Sequence, residues 1–179
     1  MNMEKIADQE LITKAQAGDH LSFAALADRH YMTVYRFAFR WCRSREDAED
    51  ITQEVFIKLA GKLHLFDNRS KFTTWLYRMT ANCASDYVRK NSRWTNSRMS
   101  EPPENGMTAS PNPGPENNVI ARNILKVVGE LPDKLKEAML LVYAEGMNHK
   151  EAAGVIGCAE TTVSWRIFQA KRKLRKVLS

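Results

Sequence analysis

His149–Lys173 reads HKEAAGVIGCAETTVSWRIFQAKRK, and the spacing of three residues within it decides the fold. Ala153 is small where two helices would cross, and Gly157 follows four residues later, where a tight turn needs a permissive backbone. Val163, six further on, is placed to lock a second helix onto the first. This is the pattern of a helix-turn-helix. In the second helix Val163, Ile167, Ala170 and Leu174 recur at helical steps and form the buried stripe, so Thr161, Trp165, Phe168 and Arg172 face elsewhere, with Ser164 and Gln169 at the edges. A basic run, Lys171, Arg172, Lys173, Arg175 and Lys176, suits the phosphates that flank a groove. Thr161, Thr162, Ser164, Trp165 and Gln169 are therefore candidates for base edges, and Arg166, Lys171 and Arg172 for the backbone. Phe168 fits either a DNA-facing position or the face of a neighbouring domain.

Working outward, the segment before this motif carries Leu135, Ala138, Met139, Val142 and Tyr143 at helical spacing, starts after Pro132 and ends at Gly146. A further helix is expected from about 119 to 128. Before it, Asn91 to Asn118 holds Pro102, Pro103, Pro111, Pro113 and Pro115 with Gly106 and Gly114. That composition buries too little apolar surface to offset its ordering entropy, so it reads as a flexible linker. The expected organisation is all-α, with a first helical domain over 1–92, a linker over 93–118 and a helix-turn-helix domain over 119–179.

In the first domain a helix from Asp8 ends at Gly18. A second begins near Asp19 and buries Phe23, Leu26, Ala27, His30, Val34, Phe37, Ala38 and Trp41; His30 within that stripe reads as a satisfied core histidine. A third has an apolar seam of Ala48, Ile51, Val55, Leu59 and Leu63. Its other side is acidic, with Asp47, Asp50 and Glu54 on one face and Glu46, Glu49 and Gln53 beside them. Phe56 and Ile57 fall off the seam next to that face, and exposed apolar residues rimmed by charge suit a protein-binding surface.

Phe66–Lys90, FDNRSKFTTWLYRMTANCASDYVRK, interleaves aromatic and basic residues on a turn followed by a helix. Phe66, Phe72, Trp75 and Tyr77 offer faces on which an unstacked base can rest. Arg69, Lys71, Arg78, Arg89 and Lys90 offer charge for a single strand. Aromatics at helical spacing also pack cores, so both readings stand from this stretch alone, and Trp75 fits either. Asp67 to Ser70 reads as a turn.

The 179 residues carry a formal net charge of +6, which favours an anionic partner without choosing between nucleic acid and membrane. The N-terminus has no signal-peptide character and no stretch approaches a bilayer-spanning length, so a cytoplasmic location is expected. Three cysteines, Cys42, Cys83 and Cys158, are far apart and at no metal-ligand spacing. His20, His30, His64 and His149 are scattered, and no phosphate loop or nucleophile elbow occurs. No catalytic residue, cofactor or metal is expected.

Three segments in order resemble the extracytoplasmic-function sigma factors of bacterial RNA polymerase. DAEDITQEVFIKL from Asp47 is similar to the family's polymerase-binding helix. KFTTWLYRMTANCASDYVRK from Lys71 is similar to its segment that opens and reads the −10 element. The segment from Leu131 to Arg175 is similar to its −35-reading domain. The resemblance implies that Asp47, Asp50, Gln53, Glu54, Phe56 and Ile57 dock on core polymerase. It implies that Asn82, with Phe66 and the turn Asp67, Asn68, Arg69 and Ser70, forms a pocket for a flipped base. Lys71, Trp75, Tyr77, Arg78, Arg89 and Lys90 would line the same strand. It also implies an anti-sigma partner that holds the protein inactive, at the membrane in some cases, by wedging the domains together. Two departures touch the −35 reading: Ser164 stands where the family commonly has a basic residue, and the large Trp165 where a small one is usual.

A sigma factor that gives core polymerase its promoter preference is the first reading. A regulator that binds DNA without core polymerase is the alternative, against which the acidic helix and the aromatic-basic stretch argue. A helical enzyme with an appended DNA-binding domain fits least, since no catalytic set converges.

Overall fold

The structure is a computed structural model that describes residues 6–91 and 128–178. The expected linker and nearly all of the 119–128 helix lie outside the described residues, which contain helices, turns and no strand. Four α-helices form the first unit. They are α1 (Asp8–Gln16), α2 (His20–Cys42), α3 (Arg45–Lys62) and α4 (Phe72–Asn91), with a 3₁₀ turn at Leu63–Leu65 between the last two.

Local chemistry sets each boundary. Gly18 leaves α1 at φ +94°, and the Asp19 side chain caps α2 by accepting from the Leu21 amide at 3.0 Å. Arg43 ends α2 in the left-handed region, and Ser44 then caps α3 by accepting from the Asp47 amide. The seams expected from periodicity are buried for the most part; Phe23 and Ala27 of α2 are only half-buried. Leu26, Val34, Phe37, Ala38 and Trp41 of α2 meet Ala48, Ile51, Val55 and Leu59 of α3 and Phe72, Leu76 and Cys83 of α4. Each fully buried aliphatic side chain contributes about 1.5–3 kcal/mol of transfer free energy. His30 is a satisfied core histidine, since its Nε2 lies 2.8 Å from an Asp8 carboxylate oxygen and its ring meets Phe72 edge-on.

The second unit has α5 (Asp133–Met139), a π-helical turn (Leu140–Ala144), α6 (His149–Ile156) and α7 (Glu160–Leu178). In the π-helical turn the Glu145 amide reaches back five residues to the Leu140 carbonyl at 3.0 Å. A capping box between Asn148 and Glu151 starts α6. Gly157 ends it at φ +75°, the left-handed turn that the helix-turn-helix spacing requires. Val163, Ile167, Ala170 and Leu174 are all buried, as their spacing predicts.

The two units pack against each other. Glu145, just past the π-helical turn, accepts from Arg40 Nη1 of α2 at 2.5 Å and from the Tyr77 hydroxyl of α4 at 2.6 Å. Arg78 of α4 donates to the Val155 and Gly154 carbonyls at the end of α6. Ser85 donates to Asp133 at 3.0 Å. The Lys136 ammonium sits 5.6 Å over the Trp41 ring. Burial lowers the Lys136 pKa, against the opposing pull of Asp133.

Candidate polymerase and nucleic-acid interfaces

The acidic face of α3 forms as its sequence implies, with an added constraint from α4. Asp47 and Asp50 both lie 2.9 Å from the Tyr87 hydroxyl. One hydroxyl proton is shared between two carboxylates, and burial together with that pair of hydrogen bonds raises the Tyr87 pKa. The acidic face of α3 is thereby tied to α4. Glu54 pairs with Lys58 at 2.6 Å, and Lys58 reaches the Cys83 sulfur at 3.4 Å. Gln53 is exposed, as is Ile57 at 72%. Phe56 stacks on Tyr31 of α2 at 6.0 Å, and Tyr31 in turn stacks on Tyr35. Tyr31 and Met32 are exposed and extend the apolar patch onto α2. Sequence reading missed them because α2 was read for its buried stripe alone.

The loop before α4 is built from its buried end outward. Phe66, expected in the base pocket, is buried, with its ring against Phe72 at 5.6 Å and Trp75 at 5.4 Å. In this arrangement its ring anchors the loop. Trp75, half-buried in the same cluster, packs on Phe66 and Phe72. Asp67, Asn68, Arg69, Ser70 and Lys71 are exposed. Asp67 accepts from the Arg69 amide at 3.2 Å and pairs with its guanidinium at 3.1 Å, and Asn68 takes φ +61°. Gln16, at the end of α1, donates to the Leu63 and Phe66 carbonyls at 2.9 and 2.8 Å, pinning the loop from below. Nothing in the sequence near Gln16 marks this role.

On α4 itself Asn82, Arg89 and Lys90 are exposed, and Arg89 pairs with Asp86 at 2.8 Å. Tyr77 departs from its expected placement on an open surface, whereas Arg78 is exposed but already has partners. Tyr77 is half-buried, its ring edge-on to Phe37 and its hydroxyl on Glu145; burial first, then that carboxylate, raises its pKa. Arg78 is engaged with the end of α6. Both residues lie at the contact between units.

On the recognition helix α7, Thr161, Ser164, Trp165, Phe168, Lys171 and Arg172 are exposed, and Thr162, Arg166 and Gln169 are half-buried. Phe168 does not pack on the first unit: it is 62% exposed. Ser164 donates to the Glu160 carbonyl at 3.2 Å, and its oxygen lies 2.8 Å from His149 Nδ1. Lys171 lies 5.2 Å over the Tyr143 ring. Arg166 turns inward toward Glu137, whose pKa burial raises, and one of its guanidinium nitrogens is buried without a hydrogen-bond partner. A shallow depression between Pro132, Leu135, Trp165 and Arg166 runs along one side of α7. Among the described residues no cluster of histidine, cysteine or carboxylate could hold a metal ion, and no helix is long and apolar enough to cross a membrane.

Comparison with known proteins identifies the family. The Sigma-70 region 2 family matches residues 26–94, and Sigma-70 region 4 matches residues 121–174. The ECF RNA polymerase sigma-E factor of Haemophilus influenzae is 32% identical over 96% of this chain and 95% of its own length. The structure of CnrH in complex with the cytosolic domain of CnrY superposes with a TM-score of 0.71 at 25% identity, covering 97% of each chain. The fold is also that of the sigma factor RpoE in complex with the anti-sigma factor NepR from Bartonella quintana, with a TM-score of 0.62 at 23% identity, covering 83% of this chain and 91% of that one. The chain belongs to the extracytoplasmic-function sigma factors of the Sigma-70 family.

Proposed function

We propose that this chain is an alternative sigma factor: it binds core RNA polymerase, directs it to promoters through −35 and −10 elements, and assists strand opening. It supplies recognition and no catalytic group of its own. The observation that carries this reading is the presence, on one chain, of an acidic-apolar docking helix, an aromatic-basic helix behind an exposed loop, and a helix-turn-helix with its recognition face open. Asp47, Asp50, Gln53, Glu54, Phe56 and Ile57 would meet basic and apolar groups of the polymerase. Asn82 and the exposed Asp67–Ser70 loop would receive a base flipped from the non-template strand, at a stacking cost of a few kcal/mol that backbone contacts offset. Arg89, Lys90 and Lys71 would follow the phosphates, and α7 would enter the −35 major groove.

The packed arrangement of the two units is a resting form in this reading. Tyr77 and Arg78 serve the contact between units here and would be released to DNA when the units part. A protein partner of the kind seen with the relatives, an anti-sigma factor, would favour the packed form.

Run-off transcription from a promoter library, with purified core polymerase and with or without this protein, tests the proposal. Products that appear only when the protein is added, at a restricted set of promoters, are expected. Identical products from core alone, or failure to co-purify with core, would overturn it.

A further inference from the structure

The outward face of α7 is unusual for a helix that reads DNA, because aromatic carbon dominates it. In a helix-turn-helix the N-terminal residues of the recognition helix contact base edges. Here that half of the helix presents Glu160, Thr161, Ser164, Trp165 and Phe168 to solvent, with Trp165 59% and Phe168 62% exposed. Two of the helix's polar side chains are engaged within the fold, while Thr161 and the half-buried Gln169 stand beside the rings. The Ser164 hydroxyl is held by the Glu160 carbonyl and by His149. Arg166, the arginine on this half of the helix, turns inward beside Glu137. Lys171 and Arg172 lie a turn or more further on, where they suit phosphates. Phe168 thus stands in water, and Trp165, though it borders the depression with Pro132 and Leu135, keeps more than half of its surface exposed. In the major groove the apolar feature that a base pair offers is the thymine C5 methyl group.

We propose that Trp165 and Phe168 read the −35 element by packing on thymine methyl groups, so that this sigma factor selects for methyl-bearing pyrimidines rather than through an arginine-guanine contact. The proposal rests on the sigma-factor reading above and specifies its −35 chemistry. The methyl is recognised by burial of apolar area, so its loss weakens binding about three- to fivefold per contact.

The test uses reconstituted holoenzyme and a promoter taken from the transcription library. Each −35 thymine is replaced in turn by deoxyuridine, which removes only the methyl, and affinity is measured by competition. Weaker binding of one or more uracil promoters by wild type is expected, with Trp165→Ala and Phe168→Ala holoenzymes binding the thymine and uracil promoters alike. Both side chains are exposed, so their truncation leaves the fold intact, and circular dichroism verifies this. Wild-type binding indifferent to uracil, a selected −35 element without thymine, or aromatic variants that still discriminate would each overturn the proposal. So would variants that lose affinity for core polymerase while keeping their base preference, which would make the two rings a protein contact. Any of these outcomes leaves the sigma-factor reading standing. If no library promoter is recruited, that reading fails first and this one with it.

Discussion

At the scale of single residues, Asp8 shows how a surface helix is held to the core. Burial acts to raise its pKa, but hydrogen bonds from Arg29 and His30 outweigh it and hold the carboxyl below its ordinary value. Because the folded value is depressed, its contribution is complete above the ordinary carboxylate value of 3.8 and is lost as pH falls through the folded one. Asp8→Asn is therefore expected to be less stable than wild type at neutral pH, by about 1–3 kcal/mol. The gap should shrink below pH 3.8. Urea unfolding of both proteins across that range measures it, and a gap that does not change with pH would show that Asp8 acts through packing alone. His30 was legible as a core histidine from its place in the α2 stripe. Its carboxylate partner, 22 residues away, was not, because a single sequence does not say which turn of α1 meets which turn of α2.

At the scale of elements, the patch proposed to face the polymerase spans two helices. Ile57 projects from α3 at 72% exposure, beside Phe56 stacked on Tyr31. Ile57→Glu puts a charge at the apolar centre of the patch without touching the core. Holoenzyme assembly is expected to weaken about tenfold or more, read by fluorescence titration with core polymerase, while thermal unfolding stays at the wild-type temperature. Unchanged assembly would move the docking surface elsewhere. Buried seams were readable because hydrophobic periodicity reports burial directly; Ala48, Ile51, Val55 and Leu59 each lie where their spacing put them. Phe66 was not legible as buried, for a related reason. It precedes its helix, outside any periodic pattern, and only three-dimensional placement against Phe72 and Trp75 shows it buried. The cross-links Gln16–Phe66 and Tyr87–Asp50 join elements far apart in sequence and left no local signal.

At the scale of the whole molecule, Glu145 is the group on which two elements of the first unit converge, through Arg40 and Tyr77. Glu145→Ala removes both interactions and leaves their partners without an acceptor, at a cost of about 2–4 kcal/mol to the packed form. Single-molecule energy transfer between labels on α1 and α7 should shift to longer distances, and the free variant should bind promoter DNA more tightly than wild type. An unchanged distance distribution would mean that Arg78 and the Lys136–Trp41 contact hold the units without Glu145. The π-helical turn before Glu145 has a consequence in the currency of genes. A π-helical turn uses five residues where an α-helix uses four, so it absorbs one extra residue without rotating the side chains beyond it. Losing one codon within Leu141–Ala144 would restore α-helical bonding with the Glu145 amide still opposite the Leu140 carbonyl, and Glu145 would keep facing Arg40 and Tyr77. A lineage could thus shed that codon in a single three-nucleotide deletion and remain self-clasped.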